Sequence, residues 1–570
     1  MKRVLCSGSS LRASLLAAVA AMILPAGASA AELAVGDGWA VRVDSELTTG
    51  LQIRTQNRDC RIVARDNGGC AALTSQLLDL GYPGAVPDFN YLQFDNGNLN
   101  FNRGDIVSWA VKGTHDLSIK GPDDWSALVR ANWVSDLAAP NNARFGLHDG
   151  ARDVTQFEAT LLDAWVSKGF TWFDRSAKIR VGNQIVSWGE DIFIPGGINV
   201  INGIDLRKFH TPGTALKEVF RPAPMVYLNS RVTENLSAEA YYQFMWNGFR
   251  FDPVGTYFST VDVIGPGARS AFIPSVFAGP GGGDEHVGGP SIPKLSDNRP
   301  GNQGQFGTAL RYKLGDADLG LYYVRYHDKL PQISFTGDAD GLPNGFFLDY
   351  GRNRDLVGAS GSYPLATSFG DLILGGELSW RPRDTVGIDP TVAAPGHPFA
   401  LPANGVGRGF VTEQKWQGHL TANYLFSPDS PLGRFQEALG ATDGYILAEA
   451  AFAHYPGLST DGSIPYLLPN YSLPDRFSMG YVIEVGMTYP HIFNTPINMT
   501  PYVNFAHDVK GTSPNAMPFV EGRKSMALNL AFNYLGKMKA NVVYALFWGG
   551  GDNNLLRDRD FVGMSFTYSF

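Results

Sequence analysis

Cysteine is scarce, with three in 570 residues. No third or fourth ligand lies near Cys60 and Cys70 at zinc-like spacing, which argues against a metal pair. Positive charge is also short: 46 Lys and Arg against 54 Asp and Glu leave a net charge of −8. With no long basic run either, a nucleic-acid binder is excluded. Beyond residue 30 no window of eighteen apolar residues occurs, so no helix is expected to span a membrane. Catalytic signatures are missing as well. There is no H-E-x-x-H and no Walker A, and Gly358-Ala359-Ser360-Gly361-Ser362 fails G-x-S-x-G at its last position. The glycine-rich run Gly279 to His286 lacks the Lys-Ser/Thr of a phosphate loop. Asp338 to Gly341 and Asp552 to Asn554 lack full calcium-loop spacing and read as turns. The chain is therefore expected to be no enzyme and to carry no cofactor or metal.

The first thirty residues read as a secretory signal peptide. Lys2, Arg3 and Arg12 form a positive region, Leu15 to Leu24 an apolar one, and Ala28-Ser29-Ala30 a cleavage site. Removing its three positive residues takes the net charge from −8 to −11. Cys60 and Cys70 remain, and an even count in an exported chain points to a disulfide.

Residues 31–570 read as one all-β domain. In Lys415 to Phe426, Trp416, Gly418, Leu420, Ala422, Tyr424 and Phe426 alternate with Lys415, Gln417, His419, Thr421 and Asn423. Such segments recur near 41–55, 104–119, 123–135, 159–171, 176–186, 223–232, 235–248, 304–314, 317–328, 355–364, 369–381, 413–427, 443–455, 475–489, 496–508, 523–535, 538–549 and 559–570. Each runs about ten residues or more, against about five or six in soluble sheets, the length a tilted strand needs to cross a bilayer. Tight turns alternate with long excursions such as 56–103 and 249–303. The pattern predicts an outer-membrane antiparallel β-barrel of about 18 strands (16–18) in a Gram-negative bacterium, contacting membrane lipid. The final strand ends on Phe570, which resembles the signal read by the barrel assembly machinery.

The expected inner face carries Lys112, Asp116, Arg130, Asn132, Lys178, Arg180, Gln184, Lys415, Gln417, His419, Glu484, Asn529 and Asn533. Both signs of charge are present, so strong ion selectivity is not indicated. After residue 185 the alternation stops, and Ile192, Phe193, Ile194, Ile198, Val200, Ile201 and Ile204 are too apolar for a loop free in water. Pro195, Gly196, Gly197 and Gly203 interrupt helix and strand alike. Two readings stand side by side: a loop folded into the barrel as a constriction, and an extracellular loop packed on its neighbours. Ligand or gate candidates are Trp188, Glu190, Asp191, Phe193, Pro195, Asn199, Asn202, Asp205 and Arg207.

The run from "LLDAWVSKG" through "VGNQIVSWGEDIFIPGGINVINGIDLRKF" resembles the hallmark of an uncharacterised proteobacterial outer-membrane family, domain of unknown function 1302. "DSELTTGLQIRTQNRD" and "GQFGTALRYKLGDADLGLYYVRYHDKLP" are similar to its opening and middle, so the resemblance spans the mature chain. It implies a barrel that handles lipids, sterols and similar hydrophobic compounds, beside a periplasmic partner resembling lipoprotein-sorting proteins. The expected function is an outer-membrane channel for uptake of long-chain lipids, sphingoid bases or sterol-like compounds, with the 187–222 segment as gate. The alternatives are a lipid hydrolase, needing a Ser and a His in hydrogen-bond reach, and an adhesive barrel acting through its long loops.

Overall fold

The computed structural model describes residues 31–570 apart from 35, 37, 140–145, 276–289, 368–369 and 427–429. The expected leader, residues 1–30, and the whole run Gly279 to His286 lie outside the described residues. Eighteen strands form the wall: β1 (Ala40–Arg54), β2 (Ile106–Lys120), β3 (Trp125–Asp136), β4 (Glu158–Trp172), β5 (Arg175–Gln184), β6 (Ala223–Arg231), β7 (Leu236–Gln243), β8 (Gln305–Leu314), β9 (Ala317–Tyr326), β10 (Arg354–Thr367), β11 (Gly370–Gly387), β12 (Phe410–Phe426), β13 (Asp443–His454), β14 (Phe477–Thr488), β15 (Ile497–Lys510), β16 (Lys524–Tyr534), β17 (Met538–Trp548) and β18 (Phe561–Ser569). Each pairs antiparallel with the next. β1 also pairs with β18, from Glu46 opposite Ser569 to Arg54 opposite Phe561, and so closes the barrel. Phe570 continues that seam, since it and Ser45 exchange both backbone hydrogen bonds at 2.9 Å.

All eighteen expected strands are present, with most ends within three residues of the expected bounds. β11 runs on to Gly387 and β12 begins at Phe410 because a bulge between Arg381 and Asp384 lets the hairpin continue. β7 stops at Gln243 instead of 248, since Asn302 Oδ1 takes the Trp246 N–H that a strand partner would have taken. At the end holding the short turns, Asp123-Asp124 and Phe173-Asp174 are consecutive residues of positive φ. Two left-handed residues in succession match the twist of the strands they join.

Outward residues are apolar: Leu420 is 70% exposed, with Leu161, Leu321 and Met564 also bare, and Trp125, Trp172, Trp548 and Tyr568 near strand ends. In water such a surface would aggregate; in a bilayer it is the stable face of a barrel. The protein is an outer-membrane barrel, a class in which short turns are periplasmic and long connections extracellular.

Residues paired across strands share a face, and the register turns Lys112, Asp116, Arg130, Asn132, Lys178, Arg180, Gln184, Lys415, Gln417, His419, Glu484, Asn529 and Asn533 inward. Arg130 bonds Asp116 at 2.8 Å and Asp163 at 3.0 Å, whereas Lys178 is exposed. On the extracellular side the 55–105 connection folds into short helical turns stapled by the disulfide Cys60–Cys70. Arg54 and Asp558, both fully buried and 3.2 Å apart, fasten that cap to the seam, with Asn98 bonded to each.

Candidate functional site

The connection from 185 to 222 goes into the barrel. Its first arm, residues 185–198, packs against inward side chains of β6 to β10. Trp188, 1% exposed, lies with Val186, Ile198 and Ile201 among Met225, Tyr241, Tyr322 and Val324. Its indole N–H donates to Glu239 Oε2 at 2.7 Å, and Glu239 also takes Tyr227 Oη–H at 2.8 Å and pairs with Arg311 at 2.8 Å. A buried indole N–H requires such an acceptor. Asn202 closes the base of the arm by bonding both backbone groups of Val186, and its amide also reaches Asn199 Oδ1 at 3.1 Å.

The tip then crosses to the opposite wall. Glu449 on β13 accepts the successive N–H groups of Ile192, Phe193 and Ile194 through one oxygen. Its other oxygen meets His419 Nδ1 at 2.6 Å, and both side chains are wholly buried. Glu377 on β11 accepts Glu190 N–H at 2.6 Å and Ile198 N–H at 2.8 Å. Gln417 donates to Pro195 O at 2.9 Å, and Arg381 to the carbonyls of Gly196 and Gly197. Glycine is needed at 189 and 197 because a Cβ at either would collide with the Glu377 carboxylate. The apolar, irregular segment thus has its backbone satisfied by wall carboxylates, as low-dielectric surroundings demand. Phe193 and Ile194 insert into a second core with Val386, Tyr455, Val482 and Phe519.

The second arm lies on β1 to β4. Asp205 caps the short helix Leu206–His210 by accepting Lys208 N–H at 3.2 Å. Arg207 pairs with Glu158 at 2.8 Å, Lys208 donates to Asn132 at 2.9 Å, and the buried pair Lys112–Glu218 closes at 2.9 Å. The wall residues that meet this arm, Lys112, Asn132 and Glu158, are on the inward face of their strands. Phe209 and Leu216 stay 62% and 65% exposed on an arm whose other side chains hold the inner wall.

All nine loop candidates thus lie on one segment, and of the lumen residues Lys112, Asn132, Arg180 and Gln417 bond it directly, while His419 reaches it through Glu449. Glu239, Glu377, Arg381 and Glu449 were not singled out by sequence reasoning. The signal available was an inward-parity carboxylate opposite a loop rich in apolar residues and poor in hydrogen-bonding side chains.

Burial, and next the charge of Glu377, push Asp191 up to about 7. A carboxyl held above its ordinary value of 3.8 favours the docked loop while protonated. Its contribution is complete below that value, is lost as pH rises toward 7, and changes no further above. Protease attack on residues 189–202 is therefore expected to be faster at pH 8 than at pH 5, and Asp191→Asn to flatten the difference. An unchanged slope in that variant would remove Asp191 as its source.

A family model described as "Protein of unknown function (DUF1302)" matches residues 11–570. No curated protein matches the chain. Among solved structures, OccAB1 of Acinetobacter baumannii aligns at 9% identity and TM-score 0.42, covering 93% of this chain and 96% of that one. The outer membrane protein opdK of Pseudomonas aeruginosa aligns at 9% identity and TM-score 0.40, covering 93% and 98%. OccAB3 of Acinetobacter baumannii aligns at 10% identity and TM-score 0.39, covering 93% and 99%.

Proposed function

Because the chain belongs to the DUF1302 family, whose function is unknown, its role has to be read from its own geometry, and we propose that it is a channel for uptake of hydrophobic or amphipathic small molecules across the outer membrane. One observation carries this reading. The loop offers Phe209 and Leu216 to a lumen whose remaining wall, β15 to β18, presents Ala506, Ala527, Asn529, Asn541 and Val543 inward over its middle, with Asp508 and Lys539 as the charges toward its two ends. A narrow path with apolar projections on one side and amide groups on the other suits long-chain lipids, sphingoid bases or sterol-like solutes better than ions or sugars. In this reading Phe570 is the handle for barrel assembly, and a periplasmic lipoprotein-sorting-like protein receives the cargo.

The hydrolase alternative meets a specific obstacle. Ser45 Oγ lies 3.0 Å from His115 Nδ1, while Trp133 Nε1–H donates to His115 Nε2 at 3.2 Å. An Nε2 that accepts leaves the proton on Nδ1, so His115 donates to Ser45 and does not act as its base.

The test is uptake of labelled fatty acid, sphingoid base, sterol and small sugar in a deletion strain, complemented with wild type or with Phe209→Ser/Leu216→Ser. Loss of one hydrophobic class, restored by wild type and poorly by the variant, is expected. Normal uptake of every solute without the protein would end the transport reading.

A further inference from the structure

On the extracellular side of the loop lies a cavity of about 320 Å³, walled by four separate connections. This is the lower end of the range of about 300–1,000 Å³ for small-molecule sites. Its floor is the second arm of the loop, through Asp205 and Arg207. Anything that binds there rests directly above the lumen.

The charges around this cavity are unevenly shared. Arg207, Arg250, Lys294 and Arg299 face three carboxylates, Glu158, Asp205 and Asp297. Glu158 serves two guanidinium groups at once, Arg207 at 2.8 Å and Arg250 at 2.6 Å. Asp297 likewise serves Lys294 at 2.6 Å and Arg299 at 3.2 Å. Arg250 Nη1 also stands 3.6 Å from Asp205, yet a guanidinium carries five N–H donors, and contacts through one nitrogen leave most of them unused. The side chains of Arg250 and Arg299 remain 39% and 68% exposed, so their free edges are reachable. Arg221 stands close behind; burial and then the Arg250 charge push it down to about 10, a sign of crowded positive charge. Opposite these groups the lining is apolar, with Phe251, Pro266, Leu348 and the ring of Tyr350.

We infer that this cavity binds an organic carboxylate with an apolar body, the head on Arg250 and Arg299 and the body against Phe251, Leu348 and Tyr350, before it passes the loop. A planar carboxylate matches the two-pronged edge of a guanidinium, and its charge completes the balance that the three resident carboxylates leave short. The inference rests on the uptake reading only in treating the bound acid as cargo; binding itself does not depend on it.

The experiment uses the full chain in nanodiscs, with empty discs as the blank for lipid partitioning. The probes are naphthalene-2-carboxylate and its neutral counterpart naphthalene-2-methanol, followed by equilibrium dialysis. The acid is expected to bind about tenfold more tightly than the alcohol, as a charge-assisted pair supplies. That advantage should shrink as salt is raised. Arg250→Gln with Arg299→Gln is expected to bring the acid down to the alcohol without weakening the alcohol. Because Arg250 also braces Glu158, Arg299→Gln alone provides a second variant at an exposed position, expected to give a partial loss. Equal affinities for acid and alcohol in the wild type, or an unaltered acid affinity in both variants, would overturn the inference. Acid binding with normal uptake in a deletion strain would retire the transport reading alone; transport of hydrophobic solutes with no preference for the acid would retire this one alone.

Discussion

Replacing Glu377 and Glu449 together by alanine is expected to release the tip of the 185–222 loop and widen the lumen, seen as a several-fold rise in single-channel conductance. The two carboxylates accept five loop N–H groups between them. A buried donor left without an acceptor costs about 1–3 kcal/mol, so keeping the tip in place would cost roughly 5 kcal/mol or more. That exceeds what the apolar contacts of Phe193 and Ile194 return, at about 1.5–3 kcal/mol for each side chain fully buried, once the cost of ordering the segment is subtracted. The loop then does better in water. Glutamine at both positions keeps one carbonyl acceptor each and is expected to give an intermediate conductance. Wild-type conductance in the alanine variant would mean that the tip does not limit the lumen.

Trp188→Ala is expected to loosen the other end of the same arm. The indole is the largest fully buried side chain described, and its removal leaves a cavity among Tyr241, Tyr322 and Ile198. Truncating a buried Trp costs about 3–5 kcal/mol. The wall itself is held by strand pairing, so this loss falls on the docking of the arm. Protease cleavage within 185–202 should accelerate by roughly two to three orders of magnitude, with the barrel still resistant to unfolding in detergent. Trp188→Phe retains much of the volume and loses the bond to Glu239, which keeps Tyr227 and Arg311; a much smaller acceleration is expected. Equal cleavage rates in Trp188→Ala and wild type would show that the arm is held without this contact.

The barrel was legible because its signal is local. Alternation with period two is written within each strand, as in Trp416 to Phe426, and a strand exposed to lipid on one side and polar contents on the other has little freedom to depart from it. Strand number, the order of short and long connections and the partnership of Cys60 with Cys70 follow from such short-range features. The departure at 185 was equally visible, since apolar residues punctuated by Pro195, Gly196 and Gly197 fit neither period. Where that segment goes was decided only in three dimensions. Its anchors stand 179 to 257 positions away in the chain, and along their own strands Glu377 and Glu449 look like any other lumen-facing charge. The cavity with its surplus of arginine is a product of tertiary structure in the same sense, assembled from four loops that carry no common motif. Local sequence fixes which face a side chain shows, because that depends on backbone geometry alone; which distant groups share a buried proton donor or a carboxylate depends on closure of the barrel, which brings β5, β11 and β13 around one lumen.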